Sequence, residues 1–183
     1  SSEKTTLYAE RDEHKRTQFG AEQEKYSAEE IVYVDESGID EYLQREYARA
    51  PRGEQVISEV KGKKYQRISM VAGKCGEKII APMIYKGSAN TNLFEAWVEQ
   101  MLVPVLKPGQ VVVMDNYVIH KSKRTRELIE SVGCRIIFQP PYSPDLNKIE
   151  HFWNWIKNMV RKLLPQSETL EQALCEAFKR TKY

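Results

Sequence analysis

Two short apolar runs, each ending in an acidic residue, constrain the fold of this chain more than any other feature. "IVYVDES" begins at Ile31 and "VVVMDN" begins at Val111, and both are rich in β-branched residues. Runs of this length and composition favour buried strands, because helices usually need ten or more residues. A chain that sets such runs between helical segments is expected to fold as a layered α/β domain.

The remaining segments complete an ordered set of strands and helices. Two strand-like segments, 64–73 and 77–87, share the connection "GKCGE", which is typical of a hairpin, and "CRIIFQ" adds a fifth strand. Helical patterns cover 88–106, 121–133, about 147–164, and a last segment starting at Ser167 or Thr169. The order is strand, hairpin, helix, strand, helix, strand, helix, as in ribonuclease H. The sequence therefore predicts an α/β fold with an RNase H-like mixed five-stranded sheet flanked by helices.

Local signals mark where several of these helices begin and end. Asn90, Thr91 or Asn92 is available as the N-cap of the helix in 88–106, and Pro104 is expected to end it or to kink its last turn. Gly133 is expected to stop the helix that begins near residue 121.

At 183 residues, the chain is long enough for one domain with appendages. We assign 1–29 to a charged helical segment interrupted near Gly20, 30–165 to the α/β domain, and 166–183 to a C-terminal helix. An insertion at about 38–64, with "RAPRGEQV" and "KGKK", reads as an arm that contacts DNA or a second copy of the chain. The start at Ser1, with charged sequence at once, suggests a fragment or a processed chain.

Composition narrows the class of protein and its compartment. The sequence contains no apolar stretch long enough for a membrane span and no signal-peptide pattern. Three widely spaced cysteines, without a Cys-x-x-Cys pair, argue against a disulfide framework or a thiolate zinc site and favour a reducing, cytoplasmic compartment. The net charge of +2 divides into −3 before Asn116 and +5 from Asn116 onward. This modest excess of positive charge in the C-terminal part permits a polyanionic partner.

Three acidic residues are placed where they could meet. Asp35 ends the first strand, Asp115 ends the fourth, and Glu150 lies on the helix that follows the fifth. If the first and fourth strands are neighbours, both aspartates project from one sheet edge, and the stiff turn 140–147 brings Glu150 over it. Three carboxylates so close would repel one another unless a hard cation lay between them. This pattern favours Mg²⁺-dependent phosphodiester chemistry, with two ions flanking the reacting phosphate.

Each acid also has an ordinary structural interpretation. Asp35 could simply end a strand, and Asp115 with Asn116 could form a turn pair. Glu150 could be a first-turn acid that the helix dipole favours. The spacing and the order of elements favour the joint catalytic interpretation.

Three blocks of the sequence resemble one known family. "YVDESGI" (33–39), "VVVMDNYVIHKS" (111–122) and "PPYSPDLNKIEHFW" (140–153) are similar to the catalytic blocks of the mariner-like DDE/DDD transposases, especially the bacterial insertion-sequence branch. The 34 residues between Asp115 and Glu150 match the spacing in that branch. The resemblance covers about 30–165.

The resemblance implies an RNase H-like transposase core that cuts DNA at transposon ends and joins the freed 3′-hydroxyl to target DNA. Asp35, Asp115 and Glu150 would hold two Mg²⁺ ions, with Mn²⁺ as a substitute and Asp35 as the bridging ligand. The expected partners are transposon-end and target DNA, with a homodimer on DNA and no membrane. In such a protein, helix-turn-helix domains usually precede the core, and the expected location is the bacterial nucleoid.

Several polar residues around the three acids are candidate helpers. Asn116 is a candidate for a residue that orients the metal ligands without binding the metal itself. His120 recurs at this place in the family and could contact substrate or orient a metal-bound water, whereas capping of the helix near Ser122 is an equally good interpretation. Lys148 stands where the family most often has proline and sets a cation two residues from Glu150, so it is a candidate DNA contact that could meet a phosphate, or could weaken the site.

Two basic groups are candidate DNA contacts. Cations crowd the first turn of the helix after Asp115, where the helix dipole disfavours them, so we expect phosphate contacts from Lys121, Lys123, Arg124 and Arg126. On the helix of Glu150, positions i+4, i+7 and i+11 share its face and could follow a DNA backbone, namely Asn154, Lys157 and Arg161. A solvated surface is an equally good interpretation of the second group. Phe152, Trp155, Ile156, Met159 and Leu163 are assigned to the core or its margin.

Two other functions compete with the transposase. Another RNase H-like nuclease would share the metal chemistry and stop at hydrolysis, but "PPYSPDLN" argues against it. A domesticated derivative would bind DNA without cutting it, and Lys148 is its only support in the sequence.

Overall fold

A mixed sheet of five strands forms the centre of the computed structural model, which describes residues 2–39, 67–141 and 143–181. The strands are β1 (Ile31–Ile39), β2 (Ile68–Cys75), β3 (Lys78–Lys86), β4 (Val111–Met114) and β5 (Arg135–Phe138). They lie in the order β3-β2-β1-β4-β5. β1 and β3 are antiparallel to β2, whereas β4 is parallel to both β1 and β5. The predicted sheet and the predicted contact between the first and fourth strands are therefore confirmed.

Five α-helices accompany the sheet in the described residues. They are α1 (Ser2–Glu24), α2 (Thr91–Trp97), α3 (Lys123–Ser131), α4 (Glu150–Leu163) and α5 (Leu170–Lys179). Asn90 and Thr169 are the N-caps of α2 and α5, and their side chains accept hydrogen bonds from the amides of Leu93 and Gln172. α2 continues through a π-helical turn into the 3₁₀ turn Val103–Val105, which contains Pro104. The expected effect of Pro104 on the last turn is confirmed.

The two faces of the sheet bury different helices. Tyr33 and Val113 lie in a cluster with α4, α5 and Phe19 of α1. Val34 and Met114 lie in a second cluster with α2 and Ile129 of α3. Because side chains alternate between the faces of a strand, the positions after Val34 and Met114 return to the face that α4 covers. Asp35 and Asp115 therefore lie on the face of the sheet that is covered by α4, the helix of Glu150.

Three predicted boundaries are wrong. Gly20 does not interrupt α1, which runs from Ser2 to Glu24, because Phe19 is buried and packs this part of the helix on the core. β1 does not end near Asp35 but continues to Ile39, since antiparallel pairing with β2 extends to the pair Ile39 and Ile68. α4 begins at Glu150 rather than near residue 147, because a 3₁₀ turn precedes it.

The predicted insertion at about 38–64 lies, apart from its first two residues, outside the described part of the chain. Gly38 and Ile39 belong to β1. Within the described residues, none of the helices is long and apolar enough to cross a membrane.

Candidate active site

The three predicted acids lie around one open cleft at the edge of the sheet. The cleft has a volume of about 490 Å³. Its lining comprises Asp35, Asp115, Asn116, Tyr117, Gln139, Pro140, Pro141, Ser143, Pro144 and Glu150. Residues from β1, the end of β4, the turn after β5 and the start of α4 therefore converge.

The ends of two parallel strands form the floor of this cleft. The paired residues of β1 and β4 end at Tyr33 and Val113. Asp35 lies two residues beyond that pair, and Asp115 directly follows Met114, the last residue of β4. Both carboxylates thus lie where the two strands stop pairing, which leaves room between them for a ligand.

The turn between β5 and α4 sets the position of Glu150. Pro144–Leu146 form a 3₁₀ turn, and Glu150 is the first residue of α4. The Asn147 side chain donates through Nδ2 to the carbonyl of Val34 at 3.3 Å and accepts from the amide of Ile149 at 3.1 Å. Asn147 therefore joins the start of α4 to β1, one residue before Asp35.

Replacing Asn147 with alanine should destabilise the protein by about 1–2 kcal/mol, because it leaves a buried amide and a buried carbonyl without their partner. Catalytic activity should fall as well, since the start of α4 loses its attachment to β1. Urea unfolding and a cleavage assay would measure the two effects. Asn92→Ala, a change at an exposed position in the first turn of α2, is the matched control. Equal stabilities of the two variants would contradict this role of Asn147.

Asp35 has an unusual proton affinity in the metal-free protein. Burial, a hydrogen bond with Glu150 and the nearby charges of Glu150 and Asp115 raise the pKa of Asp35 to about 8. A carboxyl group this close to two other acids keeps its proton more tightly, because a further negative charge there would be repelled. The site therefore has the electrostatic properties of a cation site, in which a divalent ion would replace the proton on Asp35.

The chemistry of the donors fits a hard divalent cation. The three side chains offer only carboxylate oxygens, the ligands that Mg²⁺ prefers. In the described residues, no three His, Cys, Asp or Glu side chains are already grouped closely enough to hold a metal ion.

His120 connects two acids behind the cleft. Its Nδ1 lies 2.6 Å from Asp115 Oδ1, and its Nε2 lies 2.8 Å from Glu36 Oε1. The ring is only 1% exposed and packs on Phe94, with 4.5 Å between ring centroids. Burial opposes the charged form of His120, but its hydrogen bonds to Asp115 and Glu36 and their charges raise its pKa to about 10. His120 is therefore an imidazolium that orients Asp115 from behind.

The same contact acts on Asp115. Burial alone would raise its pKa, but the hydrogen bond and charge of His120 and the amide of Tyr117 hold the pKa below its usual range. Asp115 is thus ionised and oriented before any ligand arrives, whereas Asp35 holds its proton to a higher pH. The alternative role of His120 as a helix cap is wrong, because Ser122 caps α3 through a hydrogen bond from the amide of Thr125.

Comparison with known families identifies the chain. Residues 30–172 match the model of the DDE superfamily endonuclease family. The chain belongs to this family. The predicted resemblance to DDE enzymes is thereby confirmed, and nuclease activity is the activity that the family implies.

Two sequence relatives of this DDE endonuclease domain come from mobile elements. It is 38% identical over 52 residues to an uncharacterized 39 kDa protein of insertion element IS630 from Shigella sonnei, over 28% of this chain and 15% of that protein. It is 34% identical over 68 residues to the transposase of transposable element Tc3 from Caenorhabditis elegans, over 36% of this chain and 21% of the transposase. The matched segments thus span less than a quarter of either relative.

Solved structures confirm the fold of the DDE endonuclease domain. The Mos1 strand transfer complex contains a chain that matches with a TM-score of 0.60 and 16% identity, over 93% of this chain and 57% of that one. The catalytic core domain of BIV integrase matches with a TM-score of 0.51 and 13% identity, over 81% and 80% of the two chains. The RNase H-like architecture expected from the order of elements is therefore confirmed.

The predicted basic cluster at the start of α3 is largely paired with acids. Lys123 and Arg126 lie 3.6 Å from Glu127 and Glu130, one turn further along the helix, and Arg124 lies 2.9 Å from Glu99. Lys121 lies over the Phe138 ring, 5.5 Å from its centroid. These ion pairs offset the unfavourable interaction between the cations and the helix dipole at the start of α3. Contact with DNA stays a prediction for all four residues.

The candidate DNA contacts on and before α4 differ in where they lie. Asn154 is exposed, Lys157 and Arg161 are partly buried, and Arg161 donates to Asn158 Oδ1 at 3.2 Å. Lys148 lines a different cavity of about 400 Å³, together with Gln23 and other residues of α1. Asn116 lines the cleft of the three acids. The structure thus brings Asn116 to the cleft and directs Lys148 to α1, while their functional roles stay predictions.

Sequence patterns did not reveal several residues of the site. Tyr117, 52% exposed, and the buried Gln139 line the cleft, and Glu36 is the second acid on His120. The signal that could have identified Glu36 was its place next to Asp35 in the "VDES" segment. Asn147 stands in the "PDLN" segment, where its side chain could have been expected to support the following helix.

Proposed function

We propose that this chain is the catalytic domain of a DDE transposase, which cuts DNA at transposon ends and joins the freed 3′-hydroxyl to target DNA. The observation that carries the proposal is the convergence of Asp35, Asp115 and Glu150 around one cleft in a member of the DDE endonuclease family. The family supports nuclease activity, and the mobile-element relatives support transposition as its purpose.

In this proposal, the three acids hold two Mg²⁺ ions, which Mn²⁺ can replace. Bound ions would activate the attacking hydroxyl and stabilise the leaving oxygen of the phosphodiester. Glu150 and Asp115 both raise the pKa of Asp35, so Asp35 is the proposed ligand that both ions would share. His120 holds Asp115 in its ionised form, and Asn147 fixes the start of the helix that carries Glu150. Asn116 lies at the cleft beside Asp115 and supports that ligand.

The proposed substrates are transposon-end DNA and target DNA at the bacterial nucleoid, with a homodimer of the chain holding two ends. The Mos1 strand transfer complex and a Mos1 transposase paired-end complex with the left transposon end share this fold. The proposed DNA contacts are Lys121, Lys123 and Arg124 at the start of α3, Asn154, Lys157 and Arg161 on α4, and Lys148 in the turn before α4. The lysines and arginines among them would neutralise phosphates of the bound DNA.

The test is an assay of DNA cleavage and joining by the full-length protein. Labelled DNA carrying the ends that flank its own gene is incubated with a target plasmid and Mg²⁺, Mn²⁺ or EDTA. Metal-dependent nicking at the element boundary followed by joined products would support the proposal. Cleavage without joining would instead identify a hydrolytic nuclease, and binding without cleavage would identify a non-catalytic derivative.

A further inference from the structure

The turn that leads to Glu150 is held by a side chain of α1. Arg16 Nη1 donates to Ser143 Oγ at 2.9 Å and to Asp145 Oδ1 at 3.1 Å, and Arg16 Nη2 donates to Asp145 Oδ2 at 2.7 Å. A guanidinium that meets a carboxylate through two nitrogens fixes orientation as well as distance. Arg16 therefore fixes two residues of the turn at once, across more than 120 residues of sequence.

A second side chain of α1 supports the same turn. Gln23 Nε2 donates to the carbonyl of Leu146 at 3.1 Å and to the hydroxyl of Tyr33 at 2.9 Å. Tyr33 belongs to β1 and lies two residues before Asp35. Through Gln23 and Arg16, α1 contacts both the strand that carries Asp35 and the turn that delivers Glu150.

The turn that α1 contacts also lines the cleft. Ser143 and Pro144 line the cleft, and Asn147, at the other end of the turn, is tied to β1. We propose that Arg16 is a positioning residue, which holds the turn 143–147 so that α4 begins with Glu150 facing Asp35. The inference rests on the proposed function, because it assigns α1 a part in metal-dependent cleavage. Disturbance of α1 would then reach the active site through this turn.

The ion pair between Arg16 and Asp145 is exposed to solvent. Its role in positioning the turn can therefore be measured separately from any contribution to overall stability. The side chains of Arg16 and Asp145 are 31% and 61% exposed. Ion pairs this open to solvent contribute little to the free energy of unfolding. Loss of Arg16 should therefore leave the fold intact while it loosens the turn, and the effect should appear in the rate of catalysis.

Arg135 offers a matched control. Its Nη2 lies 3.1 Å from Glu22 Oε1 of α1, and the two side chains are 57% and 39% exposed. This pair also ties α1 to the core, through β5, and within the described residues Arg135 makes no hydrogen bond or ion pair with the turn 143–147. A comparison of Arg16→Ala with Arg135→Ala thus isolates the contact with the turn from the general docking of α1.

The experiment measures amide hydrogen exchange in 143–150 and steady-state DNA cleavage in the full-length protein. We expect Arg16→Ala to speed exchange in this segment and to lower kcat about tenfold, with little change in KM for DNA, while Arg135→Ala behaves as wild type. Asp145→Ala should reproduce part of the loss, because Arg16 keeps its bond to Ser143, and the double variant should lose no more than Arg16→Ala alone. Arg16→Lys should restore part of the rate, because lysine keeps the charge without the two-pronged geometry.

Equal exchange in 143–150 for Arg16→Ala and Arg135→Ala would overturn the inference, and so would additive losses in the double variant. If Arg16→Ala does not fold, the same comparison is made with Arg16→Lys and Asp145→Ala. Absence of cleavage by the wild-type protein would count against the proposed function alone. Hydrogen exchange would then still decide whether Arg16 holds the turn.

Discussion

Asp35→Asn should lower metal-dependent DNA cleavage by about three orders of magnitude or more, and it should make the metal-free protein more stable at pH 9. The loss of activity follows because the substitution would remove a proposed ligand of ions that would supply several kcal/mol of transition-state stabilisation. Single-turnover cleavage of labelled DNA would measure it. Glu171→Gln, an exposed acid in the first turn of α5, is the control and should retain full activity.

The gain in stability follows from the raised pKa of Asp35. The pKa is about 8 in the folded, metal-free protein, whereas the ordinary value is 3.8. The folded state therefore binds more protons than the unfolded state between these values, and Asp35 makes the folded state progressively less stable as pH rises from about 4 to about 8. Asparagine cannot ionise, so the advantage of Asp35→Asn should grow across this window and be complete above pH 8.

Thermal unfolding at pH 5 and pH 9, with and without Mg²⁺, would separate the two effects. Added Mg²⁺ should raise the melting temperature of the wild-type protein, because an ion that binds only the folded state stabilises it. The variant should show little response to Mg²⁺. A variant no more stable than wild type at pH 9 without metal would contradict the raised pKa of Asp35.

His120→Ala should destabilise the protein by about 3 kcal/mol and strongly reduce cleavage. The substitution removes a buried cation from between Glu36 and Asp115 and empties the space that the ring fills against Phe94. The estimate lies at the lower end of the range for breaking a buried ion pair, because the Asp115 side chain is 46% exposed. Chemical denaturation would measure the loss, and His14→Ala, at an exposed position of α1, is the control.

The pH dependence of this loss tests the charge on His120. Its pKa rises from an ordinary 6.5 to about 10 in the folded, metal-free protein. The contribution of His120 is therefore fully present below pH 6.5 and disappears as pH rises through about 10. The difference in stability between wild type and His120→Ala should narrow over this range. A constant difference from pH 6 to pH 10 would show that His120 acts through packing alone.

The strands and the three acids were predictable because their signals are local. β-branched runs such as 111–114 form strands in most contexts, and parallel strands bring their carboxyl ends to one edge. That rule places Asp115 beside Asp35 once the first and fourth strands are neighbours, which the structure shows. Local signals also narrowed the caps to Asn90, Thr91 or Asn92 and to Ser167 or Thr169, and the structure selects Asn90 and Thr169.

The contacts that hold the site were not predictable because they join distant residues. Arg16 meets Asp145 across 129 positions, and Glu36 meets His120 across 84. Nothing near Arg16 in the sequence distinguishes it from its charged neighbours. The same limitation affected Arg124, whose partner Glu99 lies on the preceding helical segment. Gly20 was misjudged as a break because the burial of Phe19 could not be seen from the helix alone.

The packing of Phe19 on the main core bears on where the smallest independently folding unit begins. Similarity to the DDE family model starts at residue 30, but the structural unit reaches back through α1. A shortened protein beginning at Ser27 would keep every proposed metal ligand and expose the part of the core that Phe19 covers. It would also lose Gln23 and Arg16. Family boundaries drawn from sequence would therefore cut away part of the scaffold of the active site.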